Sequence, residues 1–164
     1  MLNKIFAKDA QYLLAFILYL FCVNCQGPLE GENIEFLTPN IYKDLSPKAT
    51  RIVMRTEKSN WTFHNVQYND TIADLASGRI SKINHGEVKD TSFSYETKQV
   101  KNQLVVEITG SFFTIRSESP ENKSEPTVIT VDITENTSNE NKVLLVQLIN
   151  LDTGSYFRIE QNPR

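Results

Sequence analysis

Residues 127–133 read TVITVDI, and from Ile129 onward apolar and polar side chains alternate strictly. The apolar side chains that share one face are Ile129, Val131 and Ile133. Thr130 and Asp132 face the opposite way. Because successive side chains of a β-strand point to opposite faces of its sheet, the pattern predicts a strand with one face on a core and the other in water.

The same alternation recurs along the chain on both sides of this stretch. It is found at residues 51–56, 93–96, 103–109 and 157–160. In residues 61–68 the alternation changes phase near His64, which predicts a β-bulge at that position. A further short strand is predicted at residues 34–37. The sequence is therefore rich in half-buried strands.

Residues 143–149 (VLLVQLI) differ from the other strands because apolar side chains occupy both faces. A strand of this kind is typical of the middle of a sheet that is covered on both sides. We therefore expect it to lie at the centre of the fold, with packing on each face.

One segment, residues 71–77 (TIADLAS), is predicted to be a short helix. Asp70 or Thr71 would cap its first turn, and Gly78 would end it. Together with about eight or nine strands, this composition predicts an all-β fold. An antiparallel β-sandwich is favoured by the uneven strand lengths, and a closed lipocalin-like β-barrel is the alternative.

Residues 1–25 have the layout of a cleaved secretory signal peptide. Two lysines precede an apolar run of 12 residues, 12–23, and small residues lead to a cut after Cys25. A helix of that length spans roughly 18 Å, well short of the ~30 Å hydrocarbon core of a bilayer. We therefore expect a single secreted, extracellular β domain of residues 26–164, without a membrane span.

The charge and cysteine content of residues 26–164 exclude several kinds of partner and site. Removal of the signal leaves 15 basic and 19 acidic side chains, a net charge of −4, with no strongly basic stretch. Nucleic acids require clustered Lys and Arg, so they are not expected partners. Both cysteines, Cys22 and Cys25, lie inside the signal, so the mature chain has no disulfide and must rely on packing for stability.

Four Asn-X-Ser/Thr sequons are predicted to be N-glycosylation sites. The acceptor residues are Asn60, Asn69, Asn122 and Asn136. The last two lie in polar tracts without an apolar residue, 117–126 and 134–142, and the first two flank the strand at residues 61–68. Glycans require surface loops, which both settings predict.

No catalytic, cofactor-binding or metal-binding residue is predicted. Asp152-Thr153-Gly154 matches the tripeptide of aspartic proteases, but that chemistry needs a second carboxylate loop, and the sequence has none. The tripeptide instead predicts a hairpin turn with Gly154 in the left-handed region. His64 and His85 are the only histidines, without the spacing of a zinc site.

These observations predict a binding function without catalysis. The main hypothesis is an extracellular binding or interaction module whose partner is a protein. The alternative is a lipocalin-like carrier of a small hydrophobic ligand, and a hydrolase is a third, weaker hypothesis. The two main hypotheses differ in whether the aromatic side chains fill a core or line a cavity; these residues are Trp61, Phe63, Phe93, Tyr95, Phe112, Phe113 and Phe157.

Overall fold

The computed structural model describes residues 34–164, so the predicted signal peptide lies outside the described residues. The described chain is all-β, as predicted, and has twelve strands in two sheets. The strands are β1 Ile41–Leu45, β2 Thr50–Thr56, β3 Thr62–Tyr68, β4 Thr71–Asp74, β5 Arg79–Lys82, β6 Gly86–Glu87, β7 Ser94–Val100, β8 Gln103–Thr109, β9 Phe113–Pro120, β10 Thr127–Ile133, β11 Lys142–Asn150 and β12 Thr153–Gln161. This architecture fits the predicted sandwich and does not support the closed barrel.

The two sheets differ in size and in strand direction. One has five strands in the order β2-β10-β9-β8-β7, all antiparallel. The other has seven strands in the order β1-β12-β11-β3-β4-β5-β6. In the larger sheet β1 pairs in parallel with β12, while every other pair is antiparallel. The first and last strands of the described chain are thus neighbours.

The core lies between the inner faces of the two sheets. Every second residue of β10 is buried, which confirms the prediction from residues 127–133. Rings from the two sheets meet directly, since Tyr68 of β3 and Phe113 of β9 have centroids 5.5 Å apart. Burying a side chain of this size stabilises the fold by roughly 1.5–3 kcal/mol relative to leaving it in water.

Strand β11 occupies a central place in the seven-stranded sheet, between β12 and β3, as predicted. The prediction that both of its faces are covered is wrong. Leu144, Val146 and Leu148 point into the core and are fully buried. On the opposite face Leu145 is only partly buried and Gln147 is exposed. The apolar character of this outer face therefore needs an explanation other than the core.

The helix predicted at residues 71–77 is wrong. Thr71–Asp74 forms β4, in which Thr71 and Ala73 are buried. The Asp74 carboxylate then accepts hydrogen bonds from the backbone N–H of Ala76 (2.9 Å) and from the Ser77 hydroxyl (2.7 Å). The predicted cap, Asp70 or Thr71, starts no helix, and Asp74 serves in a turn, because a short polar side chain can bond the backbone in a turn as well as in the first turn of a helix.

The count of strands exceeds the prediction because β1, β4, β5 and β6 are short and carry little periodicity. The predicted strand at residues 34–37 is reduced to a single bridge between Phe36 and Thr56. The predicted bulge is confirmed, because Gln147 and Leu148 pair with Asn65 and Phe63 and leave His64 as the extra residue. Residues 34–164 contain no helix with the length and hydropathy of a membrane span.

Candidate functional site

The outer face of the seven-stranded sheet carries an unusual mixture of apolar and polar side chains. We define the β11–β12 face as a set of outward-facing residues of β1, β11 and β12. They are Ile41, Val143, Leu145, Gln147, Ile149, Gly154, Tyr156, Arg158 and Glu160. The register places Leu145 between Gln67 of β3 and Arg158 of β12. Ile41 of β1 pairs with Arg158, which continues the same row.

A groove of about 470 Å³ crosses the middle of the β11–β12 face. It is lined by Leu145, Gln147, Gly154, Ser155, Tyr156 and Arg158. Gly154 has no side chain, so the floor is open between Tyr156 and the tip of the hairpin. Tyr156 is 47% exposed although it lies in mid-strand. An exposed aromatic ring beside an aliphatic side chain and a guanidinium group is typical of a recognition surface.

Neighbouring groups fix the polar members of this groove. The Arg158 Nε donates to Glu160 Oε1 at 2.5 Å, and its backbone N–H donates to the Asn40 carbonyl at 2.8 Å. The Asn40 side-chain amide donates to the Tyr156 carbonyl at 2.9 Å. On the other side the Asn65 amide donates to Gln147 Oε1 at 3.2 Å. Hydrogen bonds to neighbouring residues therefore hold the polar side chains and the backbone of this face in place.

A second, more polar cleft of about 420 Å³ lies at the β3–β4 turn. Its centre is a hydrogen bond of 2.6 Å that the buried Tyr68 hydroxyl donates to Asp90 Oδ2. The other carboxylate oxygen of Asp90 accepts bonds from the Ser92 N–H (2.8 Å) and hydroxyl (2.6 Å). Lys82 lies 3.4 Å from Asp70 at the rim. The carboxylates of Asp90 and Asp70 are therefore both engaged by neighbouring side chains of this cleft.

The environment of this cleft lowers the pKa of Asp90 and raises the pKa of Tyr68. The Ser92 and Tyr68 hydroxyls donate to Asp90 and hold the pKa of its carboxyl below the usual value. Burial, and then the hydrogen bond to Asp90, raise the pKa of the Tyr68 phenol. The pair therefore remains one phenol and one carboxylate near neutral pH, an arrangement that stabilises the turn and offers no activated nucleophile.

Sequence reasoning missed the Tyr68–Asp90 pair because the two residues are far apart in the chain. A weaker signal was present, since Asp90-Thr91-Ser92 has an Asp two residues before a Ser, a spacing typical of Asx turns.

Asp152-Thr153-Gly154 lies at the predicted hairpin between β11 and β12. Asn150 pairs with Thr153, so the turn has two residues, Leu151 and Asp152. The predicted left-handed conformation of Gly154 is wrong, because Leu151 adopts it instead, with φ of 53°. Gly154 is an ordinary strand residue that pairs with Ile149. In residues 34–164 no group of three or more metal-ligating side chains comes together.

Three of the four sequon asparagines lie at or near the surface. Asn69 and Asn122 are exposed, whereas Asn60 is partly buried. The Asn69 side-chain oxygen accepts from the Val143 N–H at 3.1 Å, and its backbone has a positive φ of 50°. The Asn122 amide donates to Glu125 Oε1 at 3.0 Å, on the surface. Glycan addition at Asn69 and Asn122 is compatible with this geometry.

Asn136 is fully buried, although it lies in a polar tract. Its side-chain nitrogen, the atom that would carry a glycan, donates to the carbonyls of Glu140 (2.8 Å) and Asn162 (2.9 Å). Its side-chain oxygen accepts from the Ser138 hydroxyl at 2.7 Å. A glycan at Asn136 would replace one of the two hydrogens that make these bonds and would have to enter a fully buried site, so this conformation argues against that sequon.

The aromatic side chains named as possible cavity residues mostly contact one another. The ring centroids of Trp61 and Phe63 are 5.2 Å apart, and those of Phe112 and Phe113 are 5.4 Å apart. All four belong to the buried core cluster. Tyr95 is the exception, at 43% exposed. Contacts of this kind fit a filled core better than a lined cavity.

Comparison with known proteins adds little to this description. No protein-family model and no curated protein sequence matches the chain. Among solved structures it is similar to a protein from Bacteroides thetaiotaomicron whose structure was determined by NMR, with 11% identity and a TM-score of 0.44. The match covers 86% of this chain and 94% of that one. Function therefore has to follow from the side chains of this chain.

Proposed function

We propose that the chain is a secreted glycoprotein that acts without catalysis, by binding an extracellular protein through the β11–β12 face. The observation that carries the proposal is the outer side of β11. Its sequence is apolar on both faces, and in the described residues no further layer covers the outward one. Apolar patches rimmed by polar groups mark interaction sites in soluble proteins.

The outer face of the five-stranded sheet makes the contrast clear. There Arg51 forms an ion pair with Asp132 at 2.6 Å, and Arg116 forms one with Glu118 at 2.9 Å. These charges favour a solvated surface. The β11–β12 face also has an ion pair, between Arg158 and Glu160, but it adds the exposed ring of Tyr156 and the aliphatic Leu145. Tyr and Arg are among the residues that contribute most to binding at protein interfaces.

The placement of the sequons agrees with this choice of face. None of the four acceptor asparagines is an outward-facing residue of β1, β11 or β12. Glycans at Asn69 and Asn122 would extend from turns and leave the groove accessible. We propose these two as the occupied sites, with Asn60 less favourable because it is partly buried, and with Asn136 free of glycan.

The test compares the unaltered mature protein with three variants of it, each used as bait in extracellular fluid. Tyr156→Ala and Leu145→Lys alter the β11–β12 face. Val53→Lys is the matched control, because Val53 is a 48% exposed aliphatic residue in mid-strand on the other sheet. We expect a retained protein whose affinity falls at least tenfold with both face variants and is unchanged by the control, with circular dichroism showing that every variant is folded at the temperature of the assay. Retention that is insensitive to both face variants would refute the proposal.

A further inference from the structure

Strand β7 is an open sheet edge. All seven of its residues, Ser94–Val100, are exposed, and it is the last strand of the five-stranded sheet. The opposite edge, β2, is covered at its C-terminal end by the preceding arm, where the Leu37 N–H donates to the Arg55 carbonyl at 2.8 Å and Phe36 bridges to Thr56. In the larger sheet the edge strand β1 has five residues with an irregular register, and β6 has two. Within residues 34–164, β7 is thus the long regular edge without cover.

The hairpin between β7 and β8 decides which backbone groups are available at this edge. Val100 pairs with Gln103 across a two-residue turn, so these two residues exchange backbone hydrogen bonds. Bonded and non-bonded positions alternate along an antiparallel pair. The N–H and C=O groups of Tyr95, Thr97 and Gln99 therefore point away from β8, toward solvent.

A second copy of the chain can pair with these groups in antiparallel registers related by a twofold axis. An axis at Thr97 brings all seven residues into the pairing and sets Glu96 opposite Lys98 of the second copy, twice. An axis at Glu96 or at Lys98 would place two like charges directly opposite each other, which is destabilising. The register at Thr97 is therefore the one that the charges select.

The existing charges on β8 support the same register. Glu96 lies directly across from Glu107 of β8, so two carboxylates are neighbours. Arg116 approaches Glu107 from the far side, at 3.8 Å. Glu96 has Lys98 of its own strand at 2.7 Å, with both side chains more than half exposed. A lysine from a second copy would occupy the open flank of Glu96 and compensate the pair of carboxylates.

We propose that a second copy of this chain adds along β7, centred on Thr97, and joins the two five-stranded sheets into one continuous sheet. The interface is isologous, so it closes at two copies and leaves no further β7 edge exposed. This dimer leaves the β11–β12 face of each copy unoccupied, so it does not depend on the function proposed for that face.

The first test is sedimentation of the mature protein over a range of concentrations. We expect a monomer–dimer equilibrium for the unaltered chain and a monomer for Thr97→Pro. The Thr97 N–H points to solvent in the monomer, so proline at this edge position removes only the intermolecular bond. Circular dichroism and the melting temperature verify that the variant is folded. A monomer for the unaltered chain throughout, or a dimer unaffected by Thr97→Pro, would overturn the proposal.

The second test uses charge reversal and does not depend on the proline variant. Glu96→Lys and Lys98→Glu should each weaken self-association at least tenfold, because each sets like charges opposite each other. The double variant Glu96→Lys with Lys98→Glu should restore it. An equimolar mixture of the two single variants should form a heterodimer. If the single variants associate as strongly as the unaltered chain, or the double variant fails to recover, the register at Thr97 is wrong.

Discussion

Leu144 and Leu145 are adjacent leucines on opposite faces of β11, and truncating each to alanine tests the assignment of those faces. Leu144 is fully buried, whereas Leu145 is partly buried on the outer face. Leu→Ala removes three carbons, each worth about 0.8 kcal/mol when fully buried, or about 2.4 kcal/mol in all. The cavity left in a close-packed core raises the loss for Leu144→Ala to about 3–4 kcal/mol. The open outer face leaves no cavity, so Leu145→Ala should lose about 1 kcal/mol.

Urea denaturation of residues 26–164 measures both losses. The single tryptophan, Trp61, is 7% exposed, so its fluorescence reports unfolding. We expect unchanged denaturant slopes and a difference of about 2–3 kcal/mol between the two variants. Equal losses, or a larger loss for Leu145→Ala, would show that other parts of the chain pack on the outer face of β11. The proposal that this face binds a partner would then be refuted.

Three further predictions follow from other parts of the fold. Asn136→Ala should lower the free energy of unfolding by about 2–3 kcal/mol, because it removes the hydrogen bonds of a fully buried amide, while Asn122→Ala should change it by less than about 0.5 kcal/mol. Equal effects in denaturation, or a glycan found on Asn136 by mass spectrometry, would contradict the burial of Asn136. Gly110→Ala should lower the free energy of unfolding by about 1–3 kcal/mol, because its Cβ would come within 2.3 Å of the buried ring of Phe113, whereas Gly154→Ala meets only contacts of 3.5 Å or more and should be mild. Thermal melts that rank the two variants in reverse would refute this packing. The pKa of Asp90 is lower in the folded chain than its unfolded value of about 3.9, so the stability that it contributes is present above about pH 4 and is lost as the pH falls through the folded pKa. Asp90→Asn should therefore flatten the fall in melting temperature below pH 4. An unchanged acid profile would exclude the Asp90 carboxylate as a cause of acid destabilisation.

Much of the fold could be predicted because period-two patterns report which side chains face a core. This holds for β10, where residue type alone separates core from solvent, and the continuous apolar run of β11 correctly indicated its place in the middle of a sheet. The same pattern could not predict that the outer face of β11 lacks a cover, because a continuous apolar run is equally compatible with a second layer and with an exposed binding surface.

The errors come from residues whose chemistry suits two conformations. Asp70 or Thr71 was expected to cap a helix and Gly78 to end it, but Thr71 lies in β4. Asp74 and Gly78 stabilise a tight turn after that strand, with Gly78 at a φ of 68°. The left-handed position of the β11–β12 hairpin was assigned to Gly154, but the register of the strands puts it at Leu151. Register depends on contacts between distant residues, which local composition does not encode.

The candidate site was hidden from the sequence for a related reason. Alternation along β12 could indicate that Tyr156 and Arg158 face the same side. The hairpin prediction made β11 one neighbour of β12, but nothing in the sequence could indicate that β1 lies on its other side, nor that Asn40 would bond the Tyr156 carbonyl. Likewise, composition predicted a solvated loop around Asn136, whereas its amide connects two loops from inside the fold.

The parallel pairing of β1 with β12 has a consequence for the order in which the protein can be made. Ile41 pairs with Arg158, so β1 has no sheet to join until residues 153–161 have been synthesised. Bringing together two strands so far apart in the sequence costs loop-closure entropy before their contacts form, which slows folding. Until then β11 exposes an unpaired edge with the sequence VLLVQLI, which is the kind of segment that aggregates. The edge of β11 that faces β12 and the inner edge of β1 therefore find their partners only when the last strand of the chain has been made.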